Sequence, residues 1–281
     1  MRVHFGALLV RISSVALLSW LLVPVSASAS AIVPFTLANT LPATDDGSSS
    51  AVPLGIDTAF GINFLGGLFT DVYVNNNGNV TFGSPLSQFT PNGLATGVGY
   101  PIIAPFFADV DTRGTGSGVV AYGTATYKGR SAFVVDWPNV GYFDAHTDKL
   151  NNFQLILIDR SDTGAGNFDI EFNYGQIQWE TGDASGGHNG LGGTSAVAGY
   201  SNGLSGTLDV YYQLPGSLVN GALLDGGPDS LVGHSLHSNV SGRYDFQVRN
   251  GNVLATPEPA TLALIGIGLL GLAARNRRRI R

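Results

Sequence analysis

The sequence predicts an all-β, sandwich-like single domain, flanked by an N-terminal signal peptide and a short C-terminal transmembrane helix. Three observations carry this. Between residues 30 and 256, short β-branched and aromatic runs alternate with Gly, Asn and Asp clusters, and no stretch keeps a helical period. The 281 residues include 39 glycines and no cysteine, so turns are abundant and neither a disulfide nor a thiolate-bound metal holds the chain together. Each end pairs an apolar run with arginines.

At the N-terminus, Arg2 and Arg11 are followed by an apolar run from Val15 to Val25 and then by Ala27-Ser28-Ala29. A basic start, a short apolar stretch and a small-x-small site define a secretory signal peptide over residues 1–29. The mature chain then begins near Ser30. The next segment, Ser30 to Asp57, contains Leu41-Pro42-Ala43-Thr44-Asp45 running into Gly47-Ser48-Ser49-Ser50. It reads as a partly loose Pro/Asp loop region.

The β domain is assigned to residues 30–256, with its core at about 71–248. Val72-Tyr73-Val74 and Val80-Thr81-Phe82 flank Asn77-Gly78, a hairpin signal because both residue types tolerate positive φ. Val119–Tyr127 and Ser131–Trp137 flank Lys128-Gly129, a second hairpin. Phe153–Ile158 is apolar on both faces and reads as a central strand. Phe168, Ile170, Phe172 and Tyr174 alternate with Asp169, Glu171 and Asn173, which predicts one packed face and one acidic, wet face. Leu208–Leu214 and Tyr244–Val248 supply later strands.

The last segment, 257–281, opens with Pro257, Glu258 and Pro259, continues through an apolar stretch over 260–274, and closes with Arg275, Arg277, Arg278, Arg279 and Arg281. Fifteen helical residues reach about 22 Å, a marginal membrane span held by positive charge on the cytoplasmic side. This order resembles the PEP-CTERM sorting signal of Gram-negative bacteria. The resemblance implies processing by a membrane-embedded exosortase, often alongside exopolysaccharide production.

The overall charge of −6 conceals a more acidic body. Between residues 30 and 256 there are 7 basic and 19 acidic side chains, a net −12. With that sign and no basic stripe, nucleic acid is excluded as a partner.

A second resemblance rests on blocks in register. They are Val72 to Phe82, Ile103 to Thr112, Phe133 to Trp137, Asn152 to Ile158, Phe168 to Tyr174 with Ile177-Gln178-Trp179-Glu180, and Ala198 to Gly203. They are similar to the extracellular nidogen-like (NIDO) domain over about Asp71 to Val248. That resemblance implies a non-enzymatic extracellular module associated with cell–matrix adhesion.

Several constellations bear on chemistry. Gly199-Tyr200-Ser201-Asn202-Gly203 spells G-x-S-x-G, with Asp225, Asp229, His234 and His237 downstream. A nucleophile elbow needs a strand-to-helix turn, and Leu204 to Leu208 does not read as a helix, so a glycine-bounded turn is the expected structure. Asp109-x-Asp111 at period two places two carboxylates on one side, a set for a hard cation such as Ca²⁺. Asp111 is equally placed to end a strand in an Asx turn or to pair with Arg113. Asp144-x-His146-x-Asp148 offers mixed ligands for a transition metal, against solvated loop residues. Trp137, Trp179 and Tyr142 are glycan platforms if exposed, and core residues at strand ends otherwise.

The reading is of a non-catalytic surface or matrix protein, not an enzyme, that needs no cofactor beyond the calcium considered above. It is exported by the Sec route, held as an inner-membrane precursor by its C-terminal helix, and delivered by an exosortase to the cell surface or matrix. There it takes part in cell–matrix adhesion or biofilm through exopolysaccharide or a matrix protein. The rival readings are an extracellular serine hydrolase using Ser201 and a self-associating coat protein.

Overall fold

The computed structural model describes residues 30–57 and 59–254. The expected signal peptide over residues 1–29, Pro257, Glu258, Pro259, the helix expected over 260–274 and the terminal arginines lie outside the described residues. Among those residues the fold is all-β, interrupted only by short 3₁₀ turns.

Sixteen strands follow one another among the described residues: β1 (Asn39–Thr40), β2 (Val52–Pro53), β3 (Ile62–Phe64), β4 (Gly67–Phe69), β5 (Asp71–Asn75), β6 (Asn79–Thr81), β7 (Ile102–Phe107), β8 (Val110–Asp111), β9 (Ala121–Tyr127), β10 (Arg130–Tyr142), β11 (His146–Asp159), β12 (Phe168–Gln176), β13 (Val197–Ser201), β14 (Tyr211–Gln213), β15 (Arg243–Arg249) and β16 (Asn252–Val253). An eight-stranded sheet runs β1-β9-β10-β11-β12-β15-β16, with β8 also on β10. A six-stranded sheet runs β14-β13-β7-β6-β5-β2, and β3-β4 forms a small ribbon. Every pairing between these strands is antiparallel.

Both expected hairpins form. At the β5–β6 turn Gly78 has φ +73°, and a Cβ there would stand 1.7 Å from the Phe106 carbonyl oxygen, so only glycine fits. At the β9–β10 turn Lys128 and Gly129 both take positive φ, as a type I′ turn requires. Phe153–Ile158 lies in β11, between β10 and β12, which explains its apolar character on both faces.

The two sheets meet across an aromatic core. Phe106 of β7 packs on Phe153 of β11 at 5.3 Å, and Tyr200 of β13 on Phe246 of β15 at 5.6 Å. Trp137 stacks on Phe153 at 5.0 Å, and Tyr174 donates its hydroxyl to the Pro105 carbonyl at 2.6 Å. Trp137, Trp179 and Tyr142 are buried in this core, so they present no platform to a glycan.

Two sequence expectations are corrected. The segment from Ser30 to Asp57 is packed rather than partly loose. Val33, Phe35 and Leu37 cover the outer apolar patch of Ala132, Val134, Ile156 and Ile158, while Leu41, Leu54 and Ile56 enter the main core. Apolar residues spaced along an extended strap have no helical or alternating signature, so only the sheet beneath reveals what they cover.

The polar face of β12 is wet only at Asp169, which is half-buried. Glu171 and Asn173 are buried. Glu171 accepts from the Tyr127 hydroxyl (2.9 Å), Lys128 Nζ (2.9 Å) and Asn173 Nδ2 (2.9 Å), with Arg243 Nε 3.1 Å away. Burial works to raise its pKa, but these partners outweigh burial and hold it below the usual value. Alternation places these residues on one face; whether that face meets water depends on distant cations from the β9–β10 turn and β15.

Candidate metal centre at the sandwich edge

The site begins with three consecutive asparagines. Asn75 ends β5, Asn76 and Asn77 open the β5–β6 turn, and all three are buried. Their amides replace the backbone partners that a tight crossing of three chain segments cannot supply. Asn75 accepts from the Ser48 hydroxyl (2.7 Å) and the Leu86 N–H (3.0 Å). Asn76 Nδ2 donates to the Val110 carbonyl (2.6 Å) and to the Asp45 carbonyl. Asn77 accepts from the Val110 N–H (3.0 Å) and donates to Asp46 Oδ1 (2.8 Å). Thr112 completes the clamp, its hydroxyl donating to the Thr44 carbonyl (2.8 Å) and accepting from the Thr44 N–H (2.8 Å).

This lattice holds the 41–47 loop against the turn between β7 and β8. The result is a cluster of three carboxylates: one oxygen each of Asp45, Asp46 and Asp109 lie within 4.8 Å of one another. Asp109 is only 1% exposed, and its Oδ2 has no hydrogen-bond partner. Asp45 Oδ1 is likewise buried without a partner, although Arg113 Nη2 approaches Asp45 Oδ2 at 3.2 Å. Gly182 backs Asp109 so closely that a Cβ would stand 2.5 Å from Asp109 Oδ2.

The electrostatics follow. Burial, then the negative charges of Asp45, Asp46 and Asp111, push the Asp109 carboxyl up to about 7, against a small opposing effect of the Ser185 hydroxyl. Burial and the charges of Asp46 and Asp111 push Asp45 up to about 6, with Arg113 acting the other way. The set is all oxygen and strongly negative, the chemistry of a hard-cation site.

Asp111, paired with Asp109 in the sequence reading, is engaged elsewhere. Its Oδ1 accepts from the Arg113 N–H and Nε, both at 2.9 Å, and its Oδ2 from Arg113 Nη2 (2.6 Å) and the Ala145 N–H (2.8 Å). Burial raises this carboxyl, but the Arg113 and Ala145 donors win and hold it below the usual range. The alternation argument fails because the chain changes sheets here. β7 pairs with β6 and β13, β8 pairs with β10, and Asp109 sits in the crossing between them. Sequence reasoning missed Asp45 and Asp46, since no local spacing links a Pro/Asp loop to a residue more than sixty positions away.

The remaining candidates do not converge. Asp148 accepts from the Tyr142 hydroxyl (2.8 Å), His146 Nε2 lies 3.1 Å from Asp183 Oδ2, and Asp144 faces Arg113 at 3.5 Å. Ser201 is fully buried at the end of β13, its Oγ accepting from the Gly203 N–H (3.0 Å), and a single 3₁₀ turn, Gly206–Leu208, follows. His234 Nδ1 contacts the Ser230 carbonyl at 3.0 Å. A hollow of about 200 Å³ outside the large sheet is lined by Lys128, Arg160, Asp169 and Glu171. Its charges neutralise one another, Lys128 with Glu171 (2.9 Å) and Arg160 with Asp169 (2.7 Å).

The chain belongs to the nidogen-like domain family, which it matches over residues 70–127 and 122–250, and it carries a PEP-CTERM protein-sorting motif at residues 255–279. It is 35% identical over 230 residues to alpha-tectorin of Homo sapiens, covering 74% of this chain and 10% of that protein. It is 32% identical over 248 residues to alpha-tectorin of Gallus gallus, covering 80% and 11%. Nidogen of Drosophila melanogaster is 30% identical over 164 residues, covering 50% and 12%. The chain thus spans about a tenth of the length of these relatives. No solved structure matches it. Sorting motif and domain together mark an exosortase-sorted protein of the cell surface or extracellular space. Among the described residues no helix is long and apolar enough to cross a membrane.

Proposed function

We propose that this protein is a non-catalytic adhesive module, exported by the Sec route, held as a membrane precursor by residues 260–274, and displayed where it binds exopolysaccharide or a matrix protein. The observation that carries this reading is the junction of domain and sorting motif. β16 ends at Val253 and the motif begins at residue 255, so the sandwich sits directly on its sorting signal without a spacer.

The surface this reading assigns to binding is the β14 end of the six-stranded sheet. Tyr100, Leu204, Leu208, Val210 and Tyr211 are all exposed there, brought side by side by Gly99 N–H donating to the Gly203 carbonyl (2.9 Å) and Asn202 N–H to the Val210 carbonyl (2.9 Å). Exposed apolar side chains on neighbouring loops of an exported domain favour contact with a partner. Burial of Ser201 in β13 supports the non-catalytic reading, because no substrate reaches its hydroxyl while the strand is paired.

The test is retention of the purified full chain on washed exopolysaccharide and envelope material. The expected result is binding that falls roughly tenfold when Leu208 and Tyr211 are both changed to Ser. Turnover of an ester or peptide that disappears in Ser201→Ala would replace this reading with the hydrolase. Self-assembly without retention would replace it with the coat protein. Changing Pro257 and Pro259 to Ala is expected to leave the tail uncut in cells.

A further inference from the structure

We propose that Asp45, Asp46 and Asp109 bind one calcium ion, which fastens the 41–47 loop to the crossing between the two sheets. Three carboxylate oxygens within 4.8 Å of one another suit a cation whose oxygen ligands stand about 2.3–2.6 Å from it, since opposed ligands are then about 5 Å apart. No histidine or cysteine contributes to the cluster, which favours a hard alkaline-earth ion over a transition metal. Calcium takes 6–8 oxygens, and the partly exposed side of Asp45 and Asp46 leaves room for water to complete the shell.

The second, independent observation is the unpartnered oxygen of Asp109. Asp109 is 1% exposed, yet its Oδ2 meets no donor, and Asp45 Oδ1 of the same cluster repeats the pattern. Buried polar atoms without partners are rare and costly, and two in one three-carboxylate cluster mark a place for positive charge. Arg113 does not fill it. It is committed to both oxygens of Asp111 and touches only the other oxygen of Asp45. The scaffold is built in advance: Asn77 orients Asp46, Asn76 holds the Asp45 carbonyl, and Gly182 leaves the space behind Asp109.

The ion therefore acts as a staple between segments more than sixty residues apart, for which no hairpin register exists. An exported domain meets calcium outside the cell, and extracellular modules bind it at about 10⁻⁴–10⁻³ M. The experiment uses the purified full chain, stripped with EGTA and titrated with calcium chloride by calorimetry and thermal unfolding. One equivalent should bind, and at about 10 mM calcium the melting midpoint should rise by about 3 °C or more. Asp109→Asn should abolish both responses while folding at least as well as the stripped wild type, because it removes an unpaired buried charge. Asp46→Asn, at a half-buried position, should weaken binding about tenfold or more without endangering the fold. Absence of any calcium response, or the same response in both variants, would overturn the proposal.

Discussion

Trp137 and Asn76 join the two sheets: the indole Nε1 of Trp137 in β10 donates to the Asn76 carbonyl oxygen in the β5–β6 turn at 3.0 Å, and both residues are buried. The same carbonyl accepts from the Gly78 N–H at 2.8 Å, so both its lone pairs are used. One residue of the asparagine turn thus holds the large sheet through its backbone and the 41–47 loop through its amide.

Trp137→Phe keeps an aromatic ring against Phe153 but removes the donor and leaves a small void. The expected cost is about 2 kcal/mol, combining one lost buried hydrogen bond with lost packing. Urea unfolding checks this: the midpoint should fall while the slope stays constant.

Gly78→Ala should be far more damaging despite adding one methyl. The new Cβ would sit 1.7 Å from the Phe106 carbonyl oxygen at a φ of +73°, so the Phe106 N–H bond to the Gly78 carbonyl (3.1 Å) must break as the turn shifts. A loss above about 3 kcal/mol is expected. The soluble yield and melting midpoint of the variant measure it.

Asp111→Ala should cost more than Arg113→Ala. Asp111 is fully buried and anchors Arg113 and the Ala145 N–H, whereas the Arg113 side chain is 44% exposed and its loss leaves two backbone donors on the carboxylate. About 3 kcal/mol is expected for Asp111→Ala. Chemical denaturation of the two single variants and the double variant gives the ordering and the coupling.

Asp136 links stability to pH. Burial pushes its carboxyl up to about 6, only partly offset by the bond donated by Gln154 Nε2 (2.6 Å). The folded state therefore holds this proton more tightly than the unfolded chain, whose aspartate titrates near 3.9. The stabilisation is complete below about pH 4 and is lost as pH rises through about 6. In Asp136→Asn that contribution is absent, so the stability difference between wild type and variant should change across this window and be flat above about pH 7.

The sequence exposed the strands more readily than the site. Asn77-Gly78, Lys128-Gly129 and the doubly apolar Phe153–Ile158 reveal their elements because turn chemistry and side-chain period are local properties. Asp109 was visible as a candidate for the same reason. Its companions were not: the reading paired it with Asp111, two residues away, whereas the fold supplies Asp45 and Asp46. Glu171 shows the same limit, since its cations come from the β9–β10 turn and from β15.

By itself the sequence determined the class of fold, the hairpin turns and the sorting motif, all of which follow from residue types within a few positions of one another. Only the tertiary structure decided which side of β12 is dry, where the 30–57 strap lies, and which carboxylates share a pocket. Burial and long-range charge depend on segments that meet after folding, and a chain crossing from one sheet to the other at Asp109 breaks the alternation from which side-chain direction is read.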